Sequence, residues 1–208
     1  MYSGLKVNSE KIPDPFWLTD LREVCHPLGE SRPIWVRHGM ARTGPPPPQP
    51  TVPHPERHPC CEFNLLLEGT AVQMVGREQA ERRAGDLFLA GPGLPHYAMI
   101  LRYPHRFATV YFLPSLLFAM GPQGDGPIIL RRFTARQSLR ERLVRPPPAL
   151  RRQMNESFER MIAEFDRPQF GSESKLRTGL VDALVELLRW ERRSGRVIRG
   201  EGNAVHWR

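Results

Sequence analysis

Residues 61–112 read CEFNLLLEGTAVQMVGREQAERRAGDLFLAGPGLPHYAMILRYPHRFATVYF, and the reading of this stretch decides the fold. Short β-rich runs alternate with breakers. Phe63 to Leu67 ends at Gly69, Ala71 to Val75 at Gly76-Arg77, and Gln79 to Arg83 at Gly85. Leu87-Phe88-Leu89 follows, then the turn Gly91-Pro92-Gly93, then Tyr97 to Leu101 and Arg106 to Phe112. Runs this short and this evenly spaced predict an all-β barrel or sandwich. No intervening segment is long enough for a crossover helix, which excludes a βαβ arrangement.

Outward from this stretch the period changes. After Pro114, Leu150, Met154, Phe158, Met161, Ile162 and Phe165 recur at spacings of three and four, and Asp166-Arg167-Pro168 ends the stripe. Leu176, Leu180, Leu184, Leu187 and Leu188 form a second stripe after Gly171-Ser172, ending near Ser194-Gly195. The short link predicts an antiparallel helical pair. A leucine stripe of this kind serves either as core or as an interface. Because an appended pair has little else to cover both helices, the expectation is a homodimer with Leu180, Leu184 and Leu187 at its seam. Upstream, Ile34 to His38 is a β-rich run, and the first 31 residues form an irregular arm with room for two helical turns over Trp17 to Val24. Eight of the 22 prolines fall between residues 45 and 59, so this segment is a stiff, extended surface loop. The tract Pro45 to Pro48 also has the form of a ligand for another protein's aromatic groove.

The composition removes several classes. With 208 residues and 40% hydrophobic side chains, the chain can bury a real core, which argues against wholesale disorder and against a disulfide-held miniprotein. The longest apolar stretch, Phe107 to Met120, is interrupted by Pro114, so no membrane span is expected. No apolar run followed by small residues opens the chain, and a cytoplasmic protein is expected. Cys25, Cys60 and Cys61 lack metal-finger spacing and read as ordinary thiols of a reducing compartment. The net charge of +8 comes from residues 131–208, which hold 18 basic against 10 acidic side chains. Without interleaved aromatics, Arg131, Arg132, Arg136, Arg140, Arg142 and Arg145 read as a solvated helix face rather than a nucleic-acid site.

One cluster carries chemistry. His54, Glu56 and His58 precede the first barrel strand, Glu62 follows four residues after His58, and His96 closes the Gly-Pro-Gly turn. On an extended chain His58, Cys60, Glu62 and Asn64 share one face, so an imidazole and a carboxylate point into the barrel together. Such a donor set suits a divalent first-row metal, and it equally suits hydrogen bonds to a polyhydroxylated small molecule such as a sugar. Trp35 and Arg37, on the preceding strand, are expected in the wall of the same pocket.

These residues resemble the cupins. His58-x3-Glu62-x6-Gly69 matches the later part of their first motif, and Gly85-x7-Gly93-x2-His96 matches the spacing of the second. Glu56 stands where the first histidine of H-x-H is found, proline comes one residue late at Pro92, and Ile100 replaces the terminal asparagine. The resemblance implies a metal site at His58, Glu62 and His96, with Glu56 or the displaced His54 as a candidate fourth ligand.

From residue 30 to about 193 the chain more narrowly resembles the sensor half of AraC-type transcriptional regulators. The run Gly85-Asp86-Leu87-Phe88-Leu89-Ala90-Gly91-Pro92-Gly93-Leu94-Pro95-His96 carries that likeness, together with the helical pair behind it. It implies a cupin-like, jelly-roll β barrel followed by an antiparallel α-helical pair: an arm over 1–31, a barrel over 32–130 and a helical dimerisation unit over 131–208. The implied function is non-enzymatic. A small-molecule effector, entering the barrel beneath the arm, would be sensed at Trp35, Arg37, His58, Glu62 and His96, within a homodimer. DNA would be contacted only through a helix-turn-helix domain that this chain does not contain. The rival reading is a small metal-dependent cupin enzyme, an oxygenase or a sugar isomerase.

Overall fold

A computed structural model of the protein describes residues 22–24, 26–43, 55–120 and 124–196. Eight strands form one sheet: β1 (Arg22–Glu23), β2 (Ile34–Ala41), β3 (Glu56–Arg57), β4 (Cys61–Val75), β5 (Glu78–Arg83), β6 (Leu87–Ala90), β7 (His96–Phe112) and β8 (Leu143–Val144). Among the described residues, five helices accompany it: α1 (Ser115–Phe118), α2 (Gly126–Thr134), α3 (Leu139–Arg142), α4 (Pro148–Asp166) and α5 (Ser172–Arg193). The two long strands β4 and β7 pair antiparallel along most of their length. Each serves different partners at its two ends. β4 pairs with β6 over Glu62–Leu65 and with β5 over Thr70–Val75, while β7 pairs with β2 over His105–Phe112 and with β3 at His96.

Four of the six expected strands are therefore halves of two. Gly69 is expected to end a strand, whereas the chain bends there and β4 keeps its pairing with β7 through register shifts at Leu66, Glu68 and Thr70. Gly69 holds φ at 87°, and a Cβ there would collide with the carbonyl oxygens of Arg102 and Pro104 on β7. Only glycine lets the two backbones meet so closely at this bend. The expected helical turns over Trp17 to Val24 fall mostly outside the described residues, and Arg22 and Glu23 are in strand β1, parallel to β3. The proline tract 45–48 and His54 also lie outside them.

The sheet has two faces of different chemistry. Ile34, Val36, Phe63, Leu65, Leu87, Leu89, Ala108, Val110 and Phe112 share one face and join the stripes of α4 and α5 in a single core. Phe158 of α4 packs against Phe63 at 5.0 Å between ring centroids. Leu176, Leu180, Leu184 and Leu187 of α5 are all buried in that same core. This corrects the expected dimer seam: the leucines cover the protomer's own sheet and α4, where removing them from water already stabilises the fold. The solvated arginine face also needs correction. Arg132 is buried and paired with Glu191 of α5 at 3.0 Å, and buried Arg142 donates to the carbonyls of Leu89, Phe133 and Ala135.

Candidate functional site

The opposite face of the sheet lines the barrel interior, and alternation decides what stands on it. Register places Glu62 opposite Tyr111 and Ala90, and Asn64 opposite Thr109 and Phe88. His58 reaches this face from the segment before β4. His96 reaches it from the start of β7, where the Gly91-Pro92-Gly93 turn is tied back by a Gly93 N–H bond to the His58 carbonyl at 2.8 Å. Gly91 allows close approach, since a Cβ there would strike the Phe133 carbonyl.

The three expected ligand positions meet. Nε2–H of His58 and Nε2–H of His96 both donate to the same oxygen, Oε2 of Glu62, each at 3.0 Å. Their other ring nitrogens donate to backbone carbonyls, His58 Nδ1 to Cys60 and His96 Nδ1 to Leu94, each at 2.9 Å. The three residues are 2%, 5% and 3% exposed for His58, Glu62 and His96. All four imidazole nitrogens face acceptors, so both rings are imidazolium when the cluster is satisfied from within.

The electrostatics agree with this geometry. Burial alone would lower the His58 pKa, but its hydrogen bonds to Cys60 and Glu62 and the carboxylate charge outweigh burial and raise it to about 9. His96 is raised against the same burial by the Glu62 charge and hydrogen bond. Burial would raise Glu62, yet the His96 charge and the two hydrogen bonds hold it far below the usual carboxylate range. Both imidazoles and the carboxylate are thus favoured in their charged forms.

The donor set fits a divalent metal. Two imidazoles whose Nδ1–H groups are anchored on carbonyls would present Nε2 to an ion beside a carboxylate oxygen, the usual support for a metal-bound histidine. The candidate ligand atoms lie within 4.8 Å of one another. Glu56 pairs across from His96 in register, outside this ligand group, and His54 lies outside the described residues.

The expected wall residues separate. Arg37 lies over Phe107 at 5.9 Å and hydrogen-bonds Tyr111, the residue opposite Glu62, so it stands one layer from the cluster. Trp35 does not join it. Its ring packs edge-on against Phe165 of α4 at 4.7 Å, with the Arg32 guanidinium 4.5 Å from its centroid. Several interior residues escaped sequence reasoning. His26 stacks on Tyr111 at 3.6 Å, and burial followed by the His58 charge lowers its pKa to about 4. Cys60, expected on the face of His58 and Glu62 but as an ordinary thiol, places Sγ 3.3 Å from His58 Nδ1. Arg82, Gln73 and Thr109 are also buried on this side. The period-two pattern of β5 puts Ala80 and Arg82 on one face, which is the one signal in the sequence for Arg82.

No family model matches the chain, and no curated protein matches it. Solved structures do. Apo ToxT K231A from Vibrio cholerae superimposes with a TM-score of 0.51 at 12% identity, over 82% of this chain and 60% of its own. The AraC-like transcriptional activator CuxR is similar at a TM-score of 0.41 and 12% identity, over 66% of this chain and 53% of that one. Bacillus subtilis oxalate decarboxylase, described with Mn(II) centres, is similar over 38% of this chain and 21% of its own, with a TM-score of 0.32 and 21% identity. The β barrel with its attached helical pair is thus a fold shared with apo ToxT K231A, and the solved structures similar to this chain include an AraC-like activator and an oxalate decarboxylase. The chain spans three fifths or less of these three proteins. Among the described residues, no helix is long and apolar enough to cross a membrane.

Proposed function

We propose that this chain is the effector-sensing module of an AraC-type transcriptional regulator, acting in the cytoplasm. The observation that carries the reading is the buried His58–Glu62–His96 cluster inside a cupin-like barrel whose outer face is sealed by a helical pair. Three buried ionisable groups cost stability unless they are bonded, and an interior ligand or ion is a natural further partner for them. His26 belongs to the arm and stacks on Tyr111 beside His58. An effector that displaces this ring changes how the arm docks, and it shifts that equilibrium only by its differential affinity for the two arrangements. The module would act as a homodimer through a surface other than the Leu180–Leu184–Leu187 stripe. A helix-turn-helix domain outside this chain would contact DNA, and the effector would be a small molecule.

The donor set also suits a metal-dependent cupin enzyme, and one experiment separates the two. Protein prepared without a histidine tag is screened by thermal shift against sugars and divalent ions, with His58→Ala and His96→Ala alongside. The sensor reading expects a ligand that stabilises the wild type, leaves unchanged, and loses its effect in both variants. Turnover of that ligand moves the chain to the enzyme class. A full response in both variants overturns the site.

A further inference from the structure

Arg82 is a buried cation beside the His58–Glu62–His96 cluster, with no carboxylate on its guanidinium among the described residues. It is 3% exposed. Nη1 donates to Gln73 Oε1 at 3.0 Å, and Nη2 donates to Asn64 Oδ1 at 2.6 Å and to the Asp86 main-chain oxygen at 3.1 Å. All of these acceptors are neutral. The nearby Asp86 carboxylate is turned to other donors: its Oδ2 accepts from the Arg83 N–H at 2.9 Å and lies 3.4 Å from Arg145 Nε. Nε of Arg82 is buried with no hydrogen-bond partner.

A guanidinium stays charged even here, where burial lowers its pKa to about 10. A buried charge satisfied only by amides and a carbonyl retains a strong affinity for an anion, and its unpaired N–H is a donor that an anion could engage. The location is also specific. Asn64, which grips Arg82, stands two residues from Glu62 on the same face of β4 and donates to Thr109 Oγ1 at 2.6 Å. Thr109 in turn stands two residues from Tyr111 on β7. The Arg82 cradle is therefore the layer next to the His58–Glu62–His96 cluster. The Phe88 ring, 5.8 Å from the guanidinium, forms an apolar wall beside it.

We propose that the molecule received by the barrel is a small organic acid, and that its carboxylate pairs with Arg82 through the free Nε–H. This rests on the reading of the barrel interior as a ligand site and adds the chemical class of the ligand. Planar bidentate geometry favours a carboxylate, and the neutral acceptors on Gln73 and Asn64 are groups that a carboxylate can displace or join.

The test is thermal unfolding of the full chain with acetate, succinate and benzoate, using acetamide and benzamide as neutral controls. At least one acid should raise the midpoint where its amide does not, and the shift should be lost in Arg82→Met and reduced in Arg82→Lys. Asn64→Asp guards against a variant that simply fails to fold. It supplies the missing carboxylate from within, so it should be more stable than wild type and no longer respond to acids. The proposal is overturned if no acid stabilises the wild type, or if Arg82→Lys and Asn64→Asp respond as wild type does. Stabilisation by a sugar or metal through His58 and His96, with no response to acids, overturns the anion assignment and leaves the pocket reading standing.

Discussion

Glu62 and His96 meet at 3.0 Å inside the barrel although 34 residues separate them in the chain. The pair exists because β4 and β7 run antiparallel and the turn before His96 is tied to the carbonyl of His58. It converts two local motifs into one titrating unit, and its energetics lead to the first two predictions.

Stability should depend on pH in a way that belongs to this unit. His58 moves from 6.5 to about 9 on folding, so its contribution is complete below pH 6.5 and is lost as the pH rises through 9. Glu62 is depressed from 4.5, so its contribution is present above that value and is lost on acidification. The cluster stabilises most between about pH 4.5 and 6.5, and the alkaline loss is on the order of 3 kcal/mol. Thermal midpoints of wild type and Glu62→Gln from pH 5 to 9 check this. The variant should show a much flatter alkaline decline; parallel curves would refute the assignment.

Metal binding should oppose that decline. An ion on the two Nε2 atoms replaces two protons, so a divalent cation leaves the cluster's net charge unchanged while its affinity rises with pH. The midpoint shift produced by Mn²⁺ or Zn²⁺ should grow between pH 6.5 and 9 and vanish in His96→Ala. A shift that ignores pH would place the ion elsewhere.

Leu184→Asp should unfold the protomer rather than yield a folded monomer. Leu184 is 1% exposed within the core shared by α5, α4 and the sheet, and burying a carboxylate there costs more than about 4 kcal/mol. Circular dichroism should show loss of the cooperative transition. A folded, monomeric variant in sedimentation would restore the leucine seam.

Arg132 and Glu191 fasten α2 to α5 from inside. Removing either partner leaves an unpaired buried charge, so Arg132→Met and Glu191→Leu should each cost about 3–5 kcal/mol. The double variant should be less destabilised than the sum of the two, as denaturant melts will report. Strict additivity would mean that the pair does not interact.

Local patterns in the chain determined a good deal by themselves. Alternation over residues 61–112 made the sheet legible, the three-and-four stripes made α4 and α5 legible, and the spacing around His58, Glu62 and His96 identified the cluster. Each rests on periodicity or turn chemistry read within a few residues. Tertiary structure alone decided the rest. Gly69 bends a strand instead of ending it because β7 continues beside it, which no window on β4 reveals. Leu180, Leu184 and Leu187 are core rather than interface because the outer face of the sheet is apolar and lies against them. Arg82 and Arg132 look like surface arginines in sequence, and only the fold of the barrel and the docking of α5 bury them. Burial depends on what distant segments place around a side chain, and the physics of a buried charge, its pairing and its orphaned donor, begins only there.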